Sequence, residues 1–194
     1  MPEEKSARDR ILESAARLLQ EQGYHATGLK QIVKESDAPM GSVYHYFPDG
    51  KEGLASEAVE RTQRTVAQNI QSTLDAADTF SEGMHTFIYN LAAYMETRSA
   101  TDDHGSISTI AMESPNVGEQ LRTTCEGAYE SWRLIFKQAI LKENFAEQDA
   151  DDLSTIITGA IEGGLVLSKV RQNASALRTT AKMLLELVEK KRPI

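Results

Sequence analysis

Residues 27–47 read TGLKQIVKESDAPMGSVYHYF, a stretch that encodes two short helices around a tight turn. Leu29, Ile32 and Val33 fall on one side of the first helix, which we expect to be its buried side. Thr27 precedes this helix and is predicted as its N-cap, because a threonine hydroxyl can accept a hydrogen bond from a first-turn backbone N–H. The stretch therefore starts with an amphipathic helix.

The second half of this stretch supplies the turn and a second helix. Ser36 and Asp37 are turn-forming residues, and Pro39 suits the first turn of the next helix, where its missing N–H is not needed. Gly41 lets the backbone of that helix come close to a phosphate or a base edge. Ser42, Tyr44 and His45 then project donors and acceptors, as in a helix-turn-helix that reads DNA.

The simpler alternative is that Tyr44, His45, Tyr46 and Phe47 form an aromatic core cluster. Helical spacing makes this partly right, because Val43 and Phe47 are four residues apart and share a face. We expect these two to face the core, with Tyr46 partly buried, while Tyr44 and His45 lie on other faces.

The motifs around this region resemble a known family. The run GSVYHYF at 41–47, with GYHAT at 23–27 and KEGL at 51–54, is similar to the amino-terminal domain of TetR/AcrR-type transcriptional regulators. The FPDGKE connection at 47–52 is one residue longer than the commoner form and looks most like the lincomycin-resistance-type repressor branch. Some members of that branch answer to flavonoids, so the resemblance suggests an aromatic effector.

The resemblance also implies roles for individual residues. Tyr44 corresponds to a tyrosine that contacts a phosphate or base, and Lys51 to a lysine that binds a phosphate. Met40 departs from the branch, in which a basic residue is common, and leaves the operator sequence open. The full set of predicted DNA contacts is Thr27, Lys30, Met40, Gly41, Ser42, Tyr44, His45 and Lys51.

Composition places the chain among cytoplasmic globular proteins. Its 194 residues suffice for a buried core, and no stretch approaches the roughly 20 apolar residues of a membrane span. The start MPEEK lacks the basic and apolar segments of a signal peptide. Cys125 is the single cysteine, so an intrachain disulfide is excluded; it is predicted as a buried structural thiol rather than a redox sensor.

The net charge of -8 argues against a nucleic-acid binder at first sight. Residues 1–64 hold nine Lys and Arg against eleven Asp and Glu, whereas residues 65–194 hold twelve against eighteen. The acid is therefore concentrated away from the helix-turn-helix. Lys30, Lys34 and Lys51 can give it a local positive face, with useful affinity depending on a dimer.

The apolar periodicity is helical nearly everywhere, which predicts an all-α fold. We expect an amino-terminal three-helix DNA-binding domain at 1–50 and a helical ligand-binding and dimerisation domain at 51–194, joined by a connector helix at about 51–77. The first helix should run from about Ala7 to Gly23. In the family the connector transmits the ligand signal.

The second domain should enclose a mostly apolar effector pocket lined from several helices. A polar handle is expected from Tyr129 or Glu162, since a carboxylate among apolar residues needs a partner if buried. For any one candidate, an ordinary core role is an equal alternative. The predicted effector-binding residues are Phe87, Leu91, Met112, Tyr129, Trp132, Phe136, Glu162 and Leu165.

The last two helices carry the strongest apolar stripes and several glycines, whose cost in helix stability suggests close helix packing. In the family these helices form a four-helix bundle with a second subunit, which predicts a homodimer. The alternative is an intramolecular core. The predicted interface residues are Leu153, Ile157, Ala160, Ile161, Gly164, Leu177, Leu184, Leu185 and Val188.

No residues stand out as carriers of catalysis, and we predict neither an enzyme nor a metal or cofactor site. Asp102-Asp103-His104 could bind a metal, but a solvated loop is the better interpretation. The prediction is a repressor that leaves a palindromic DNA operator when a small hydrophobic molecule binds. The rivals are a helical small-molecule binder or enzyme that does not read DNA, and an interaction module whose apolar pocket is merely core.

Overall fold

The structure, a computed structural model, describes residues 5–97 and 106–193. Over these residues all regular elements are helices: α1 (Ala7–Ala26), α2 (Leu29–Ser36), α3 (Met40–Tyr46), α4 (Gly50–Asp75), α5 (Phe80–Thr97), α6 (Ser108–Glu113), a 3-10 turn (Ser114–Asn116), α7 (Glu119–Lys142), α8 (Glu147–Arg171) and α9 (Ser175–Lys191). The predicted all-α class is confirmed. The predicted solvated loop with Asp102-Asp103-His104 lies outside the described residues.

Helix α1 confirms the predicted role of Gly23 in ending its long first part. Gly23 has a φ of 82°, a conformation that favours glycine, and breaks the helix before the last turn. At the other end, the Ser6 hydroxyl accepts a hydrogen bond from the Asp9 backbone N–H at 3.1 Å. The stripe of Ile11, Ala15, Leu18 and Leu19 is buried.

The chain divides into two compact units, each with its own core. The first contains residues 1–64 and 101–128, and the second contains residues 65–100 and 129–194. Helices α4 and α7 each contribute residues to both. The predicted functional division at residue 50 stays a prediction, because these units describe compactness only.

In the first unit, α1 is the central helix. It packs against α2, α3 and α6. Val43 and Phe47, predicted to face the core, are buried. After α3, Gly50 has a φ of 68°, and its N–H donates to the Phe47 carbonyl at 3.0 Å, which closes the turn into α4.

In the second unit, α9 packs against both α5 and α8. Helix α8 is long and apolar enough to meet the length and composition of a membrane span. It also carries Asp151, Asp152 and Glu162, and its buried stripe packs in this unit, so we assign it as a core helix. Gly164 allows the closest approach, since a Cβ there would lie 2.9 Å from Leu177 Cδ2.

Candidate DNA-reading surface and ligand site

The turn between α2 and α3 is held by the end of α2 and by Arg10 of α1. Asp37 adopts the left-handed conformation (φ 49°, ψ 46°) that ends many helices. The Arg10 guanidinium donates to the carbonyls of Ser36 at 3.0 Å and Asp37 at 3.2 Å. Pro39 is the N-cap residue of α3, one position before the predicted first turn. The turn is therefore fixed to α1 by hydrogen bonds to carbonyls that α2 leaves unpaired.

Thr27 does not have the predicted capping role. The N-cap residue of α2 is Gly28, which makes no side-chain capping bond. Thr27 is fully buried, and its hydroxyl donates to the carbonyls of Leu18 at 3.2 Å and Gly23 at 2.7 Å. The prediction of an α2 N-cap is wrong because the hydroxyl satisfies α1 carbonyls instead. The predicted DNA contact through this side chain has no exposed surface to use.

The exposed face of α3 carries the predicted reading residues. Tyr44 is 61% exposed, compared with 40% for Tyr89 on α5. His45 and Gly41 are exposed, and Ser42 is half-buried. Because α3 buries its opposite side, it presents these groups on a fixed helix. Met40 is half-buried at the start of α3.

The acidic residues around the helix-turn-helix are largely neutralised by arginines. Glu35 pairs with Arg17, and Glu57 pairs with Arg8. Lys30 and Lys34 are exposed, four residues apart on α2, and form no ion pair among the described residues. Each pair neutralises one positive and one negative charge, so these pairs leave the net charge of the segment unchanged, and Lys30 and Lys34 carry exposed positive charge on α2.

Lys51 lies in a more enclosed position than a free surface lysine. Its Nζ sits 4.1 Å from the centroid of the Tyr24 ring, a cation–π arrangement. Burial lowers the pKa of Lys51, and the carboxylate of Glu113 opposes that effect. Burial also raises the pKa of Tyr24, with a smaller contribution from Glu52.

Two carboxylates that the sequence analysis missed bind backbone N–H groups in the first unit. Glu113 of α6 accepts from the N–H groups of Tyr24 at 2.5 Å and His25 at 2.9 Å. Glu52 of α4 accepts from the Leu121 N–H at 3.3 Å, at the start of α7. Glu113 thus binds N–H groups directly after the break at Gly23, and Glu52 binds one in the first turn of α7, where helical N–H groups lack a partner within their own helix. Partners so far apart in sequence leave no local pattern that would have identified them.

The second unit gathers most of the predicted effector residues. Phe136 is buried, with its ring centroid 6.2 Å from that of Phe87. Trp132 is buried edge-on to Tyr129, with centroids 5.3 Å apart. Phe87, Leu91, Tyr129, Glu162 and Leu165 are half-buried. Met112 differs, because it lies on α6 in the first unit and is 80% exposed.

Glu162 is the buried carboxyl group that the sequence analysis singled out. Burial raises the pKa of Glu162 to about 7, although a hydrogen bond from the Tyr129 hydroxyl acts in the opposite direction. The side chain as a whole is half-buried, but its Oε2 has essentially no solvent-accessible surface and no hydrogen-bond partner among the described residues. The carboxyl therefore has one partner and one unused acceptor atom.

The predicted dimer stripe is mostly internal. Ala160 and Leu185 are half-buried, and the other members are buried within one chain: Leu153, Ile157, Ile161, Gly164, Leu177, Leu184 and Val188. The intramolecular alternative describes these buried side chains, because they pack α8 against α9.

Helix α8 has a second apolar face, and this face is exposed. Ile156, Val166, Leu167 and Val170 are all exposed, with Val170 at 76%. Gly159 and Gly163 lie on the same face, and a Cβ added at either position would meet no atom within 4 Å. This outer face was missed because α8 is apolar on two sides. Its spacing of three and four residues was the available indication.

Cys125 is buried, as predicted, and burial raises the pKa of its thiol to about 11. A protonated, enclosed thiol is a poor nucleophile. This supports a structural role.

A fixed three-helix unit with an exposed polar α3 defines the chain as a helix-turn-helix DNA-binding protein. Comparison with known proteins places it further. Residues 11–58 match the bacterial regulatory proteins of the tetR family, and residues 81–183 match the C-terminal domain of LmrA/YxaF-like transcriptional regulators. The chain belongs to the TetR family of transcriptional regulators, in its LmrA/YxaF branch, which confirms the resemblance drawn from the sequence.

Individual relatives agree with this assignment. The HTH-type transcriptional regulator YxaF of Bacillus subtilis is 40% identical over 185 residues, covering 95% of this chain and 96% of that protein. LmrA of the same organism is 35% identical over 186 residues, covering 95% and 97%. A TetR transcriptional regulator from Legionella pneumophila has the same fold, with a TM-score of 0.80 over 98% of this chain and 100% of its own, at 17% identity. These relatives are regulators and not enzymes.

Proposed function

We propose that this regulator acts in the cytoplasm as a homodimeric repressor that binds a palindromic operator and leaves it when a small hydrophobic molecule binds. The observation that carries the proposal is the face of α3. Tyr44 and His45 are exposed on a helix whose other side is anchored by buried Val43 and Phe47. A reading helix needs this combination of rigid support and accessible polar groups.

The proposed contacts divide into two kinds. Ser42, Tyr44 and His45 reach base edges or phosphates from α3, with Gly41 allowing close backbone approach. Lys30 supplies a phosphate contact from α2, and Lys51 supplies one where α4 begins. Lys51 would exchange its contact with the Tyr24 ring for a phosphate oxygen. Met40 supplies no charge, so the clamp on the DNA backbone is weaker than with a basic residue there.

The proposed dimer uses the outer face of α8. That face combines exposed Ile156, Val166, Leu167 and Val170 with two glycines that permit close helix contact. A two-fold axis through it would bury the same apolar patch of both chains. Two helix-turn-helix units related by this axis match the symmetry of a palindrome, with half-sites spaced by about 34 to 36 Å or a multiple.

Ligand release follows from linkage between two sites. If the effector binds better to a conformation that does not fit the operator, it lowers the affinity for DNA by the same factor by which DNA lowers its own. Helices α4 and α7 each contribute residues to both compact units and are covalent routes for such coupling. The aromatic residues of α5 and α7 in the second unit supply the apolar surface for the effector.

The testing experiment is an operator-binding titration with DNA from upstream of the protein's own gene, at two salt concentrations. Tyr44→Phe should weaken specific binding by removing one hydroxyl, and Lys30→Ala should reduce the salt slope by about 1 as one phosphate contact is lost. Tyr89→Phe and Lys182→Ala are matched controls on α5 and α9. Equal effects of the reading-face variants and their controls would refute the proposed contacts.

Effector release is tested in the same titration with a panel of flavonoids and other aromatic compounds. A compound that abolishes the specific complex supports a ligand-released repressor. No specific complex at either salt would favour the rival, a helical small-molecule binder that does not read DNA.

A further inference from the structure

Helices α7 and α8 are joined by two sets of polar contacts, and the two sets differ in the charge of the partner that meets the carboxyl group of α8. At one end, Arg133 and Lys137 bind Asp151 at 2.8 and 2.9 Å. At the other end, the hydroxyl of Tyr129 donates to Glu162. The residue numbers rise along α7 as they fall along α8, so the two helices are antiparallel here. The same helix pair therefore places a carboxylate with two cations at one end and a carboxyl with a neutral partner at the other.

Within the described part of the chain, Glu162 has no cationic partner of the kind that Asp151 has. Burial raises the pKa of Glu162, the Tyr129 hydroxyl opposes that effect, and no cation of the described residues contributes. Its Oε2 is enclosed, and no residue of 5–97 or 106–193 forms a hydrogen bond with it. A buried carboxylate without a positively charged partner lowers the stability of the folded protein. Protonation of the carboxylate or binding of a cation would each remove this destabilisation.

One partner of Glu162, Tyr129, belongs to an aromatic pair. The Tyr129 ring, whose hydroxyl reaches the carboxyl, stands edge-on to the buried ring of Trp132 at 5.3 Å. Tryptophan and tyrosine are the side chains whose faces attract an organic cation best. The Glu162 carboxyl on α8 is therefore joined through Tyr129 to an aromatic pair on α7.

We propose that Glu162 is the polar anchor of the effector site and that its Oε2 binds the N–H group of an organic cation, a protonated amine carried on an apolar aromatic body. The proposal rests on the proposed function, since it names the chemical class of the effector. Tyr129 is a positioning residue that holds Glu162 Oε1, and Trp132 packs against the ligand.

A cation fits this position better than a neutral donor. A phenol or alcohol would satisfy the hydrogen bond of Oε2 but leave the buried negative charge without a counter-charge. An ammonium supplies both the donor and the charge, and charge-assisted hydrogen bonds are roughly twice as strong as neutral ones. The site should therefore discriminate between ligands of equal shape by charge.

The test uses three probes that share one ring system: naphthalen-1-ylmethylammonium, naphthalen-1-ylmethanol and 1-naphthol. Binding to the full-length protein is measured by titration calorimetry at neutral pH. We expect the ammonium probe to bind at least about tenfold more tightly than the alcohol or the naphthol. Equal affinities, tighter binding of either neutral probe, or no binding of the ammonium at millimolar concentration would overturn the proposal.

Variants then locate the discrimination. In Glu162→Gln the preference for the ammonium should disappear while the alcohol still binds, which also shows that the variant is folded. Glu147→Gln, an exposed acid on the same helix, should keep the preference. A preference that survives in Glu162→Gln would overturn the assignment. Operator binding measured on the same preparations separates the two proposals, because ammonium binding without operator release would support this site and contradict effector control.

Discussion

Replacing Glu162 by glutamine should stabilise the protein at alkaline pH, and the size of the effect can be worked from the structure. Burial raises the pKa of this carboxyl from 4.5 to about 7 in the native state. Below pH 4.5 the group is neutral in both the native and the unfolded chain and contributes no difference. Between 4.5 and about 7 the unfolded chain gives up the proton while the native chain keeps it, so the free energy of unfolding falls as pH rises.

Each pKa unit corresponds to about 1.4 kcal/mol, so the carboxyl costs about 3 kcal/mol of stability above pH 8. This figure is a ceiling, because the side chain as a whole is only half-buried although its Oε2 is enclosed. Glutamine keeps the size and the acceptor for Tyr129 but carries no charge. The stability of Glu162→Gln relative to the natural chain should therefore rise by up to about 3 kcal/mol between about pH 5 and about pH 8.5.

The assay is urea unfolding of both proteins at matched concentration, since dimerisation would make stability depend on concentration. Comparing the two at each pH cancels the titration of all other groups. Glu147→Gln is the control, because it shows how the removal of an exposed negative charge from α8 changes the free energy of unfolding. A stability difference that is flat with pH, or that moves against Glu162→Gln at alkaline pH, would refute the argument that this carboxyl is buried without a cation.

Three further predictions concern the supports of the site. Arg10→Ala removes the hydrogen bonds to the Ser36 and Asp37 carbonyls, so it should lower the free energy of unfolding by about 1 to 3 kcal/mol and weaken operator binding. Urea unfolding measures the first effect and a gel shift the second. If both the free energy of unfolding and the operator affinity are unchanged, the prediction is wrong. Gly23→Ala places a Cβ 2.5 Å from Glu113 Oε1 at a φ of 82° and should cost about 1 to 3 kcal/mol, seen as a lower melting temperature, whereas Gly127→Ala, with open space, should cost less. Val170→Glu places a charge on the outer face of α8 in both copies and should dissociate the proposed dimer, as measured by size-exclusion chromatography with light scattering. Thr86→Glu on α5 is the control. A Val170→Glu protein that remains dimeric would contradict the proposed interface.

The sequence by itself determined the local structure and much of the reading face. Val43 and Phe47 were placed in the core by their spacing of four, because helical periodicity is a property of neighbouring residues. Glu162 stood out because a charged residue within an apolar run requires an explanation wherever the run packs. The motif around Gly41 to Phe47 was enough to identify the family.

The tertiary structure decided which partner each face meets. Thr27 is suited to cap α2, yet it binds α1 carbonyls, because the packing of the two helices and not local propensity selects the partner. Helix α8 has apolar residues on two sides, and only the position of α9 shows that Ile157 is internal and Val170 external. The bond from Glu113 to the Tyr24 N–H joins residues 89 positions apart. Periodicity states which side chains share a face, but the three-dimensional arrangement of helices determines what that face contacts.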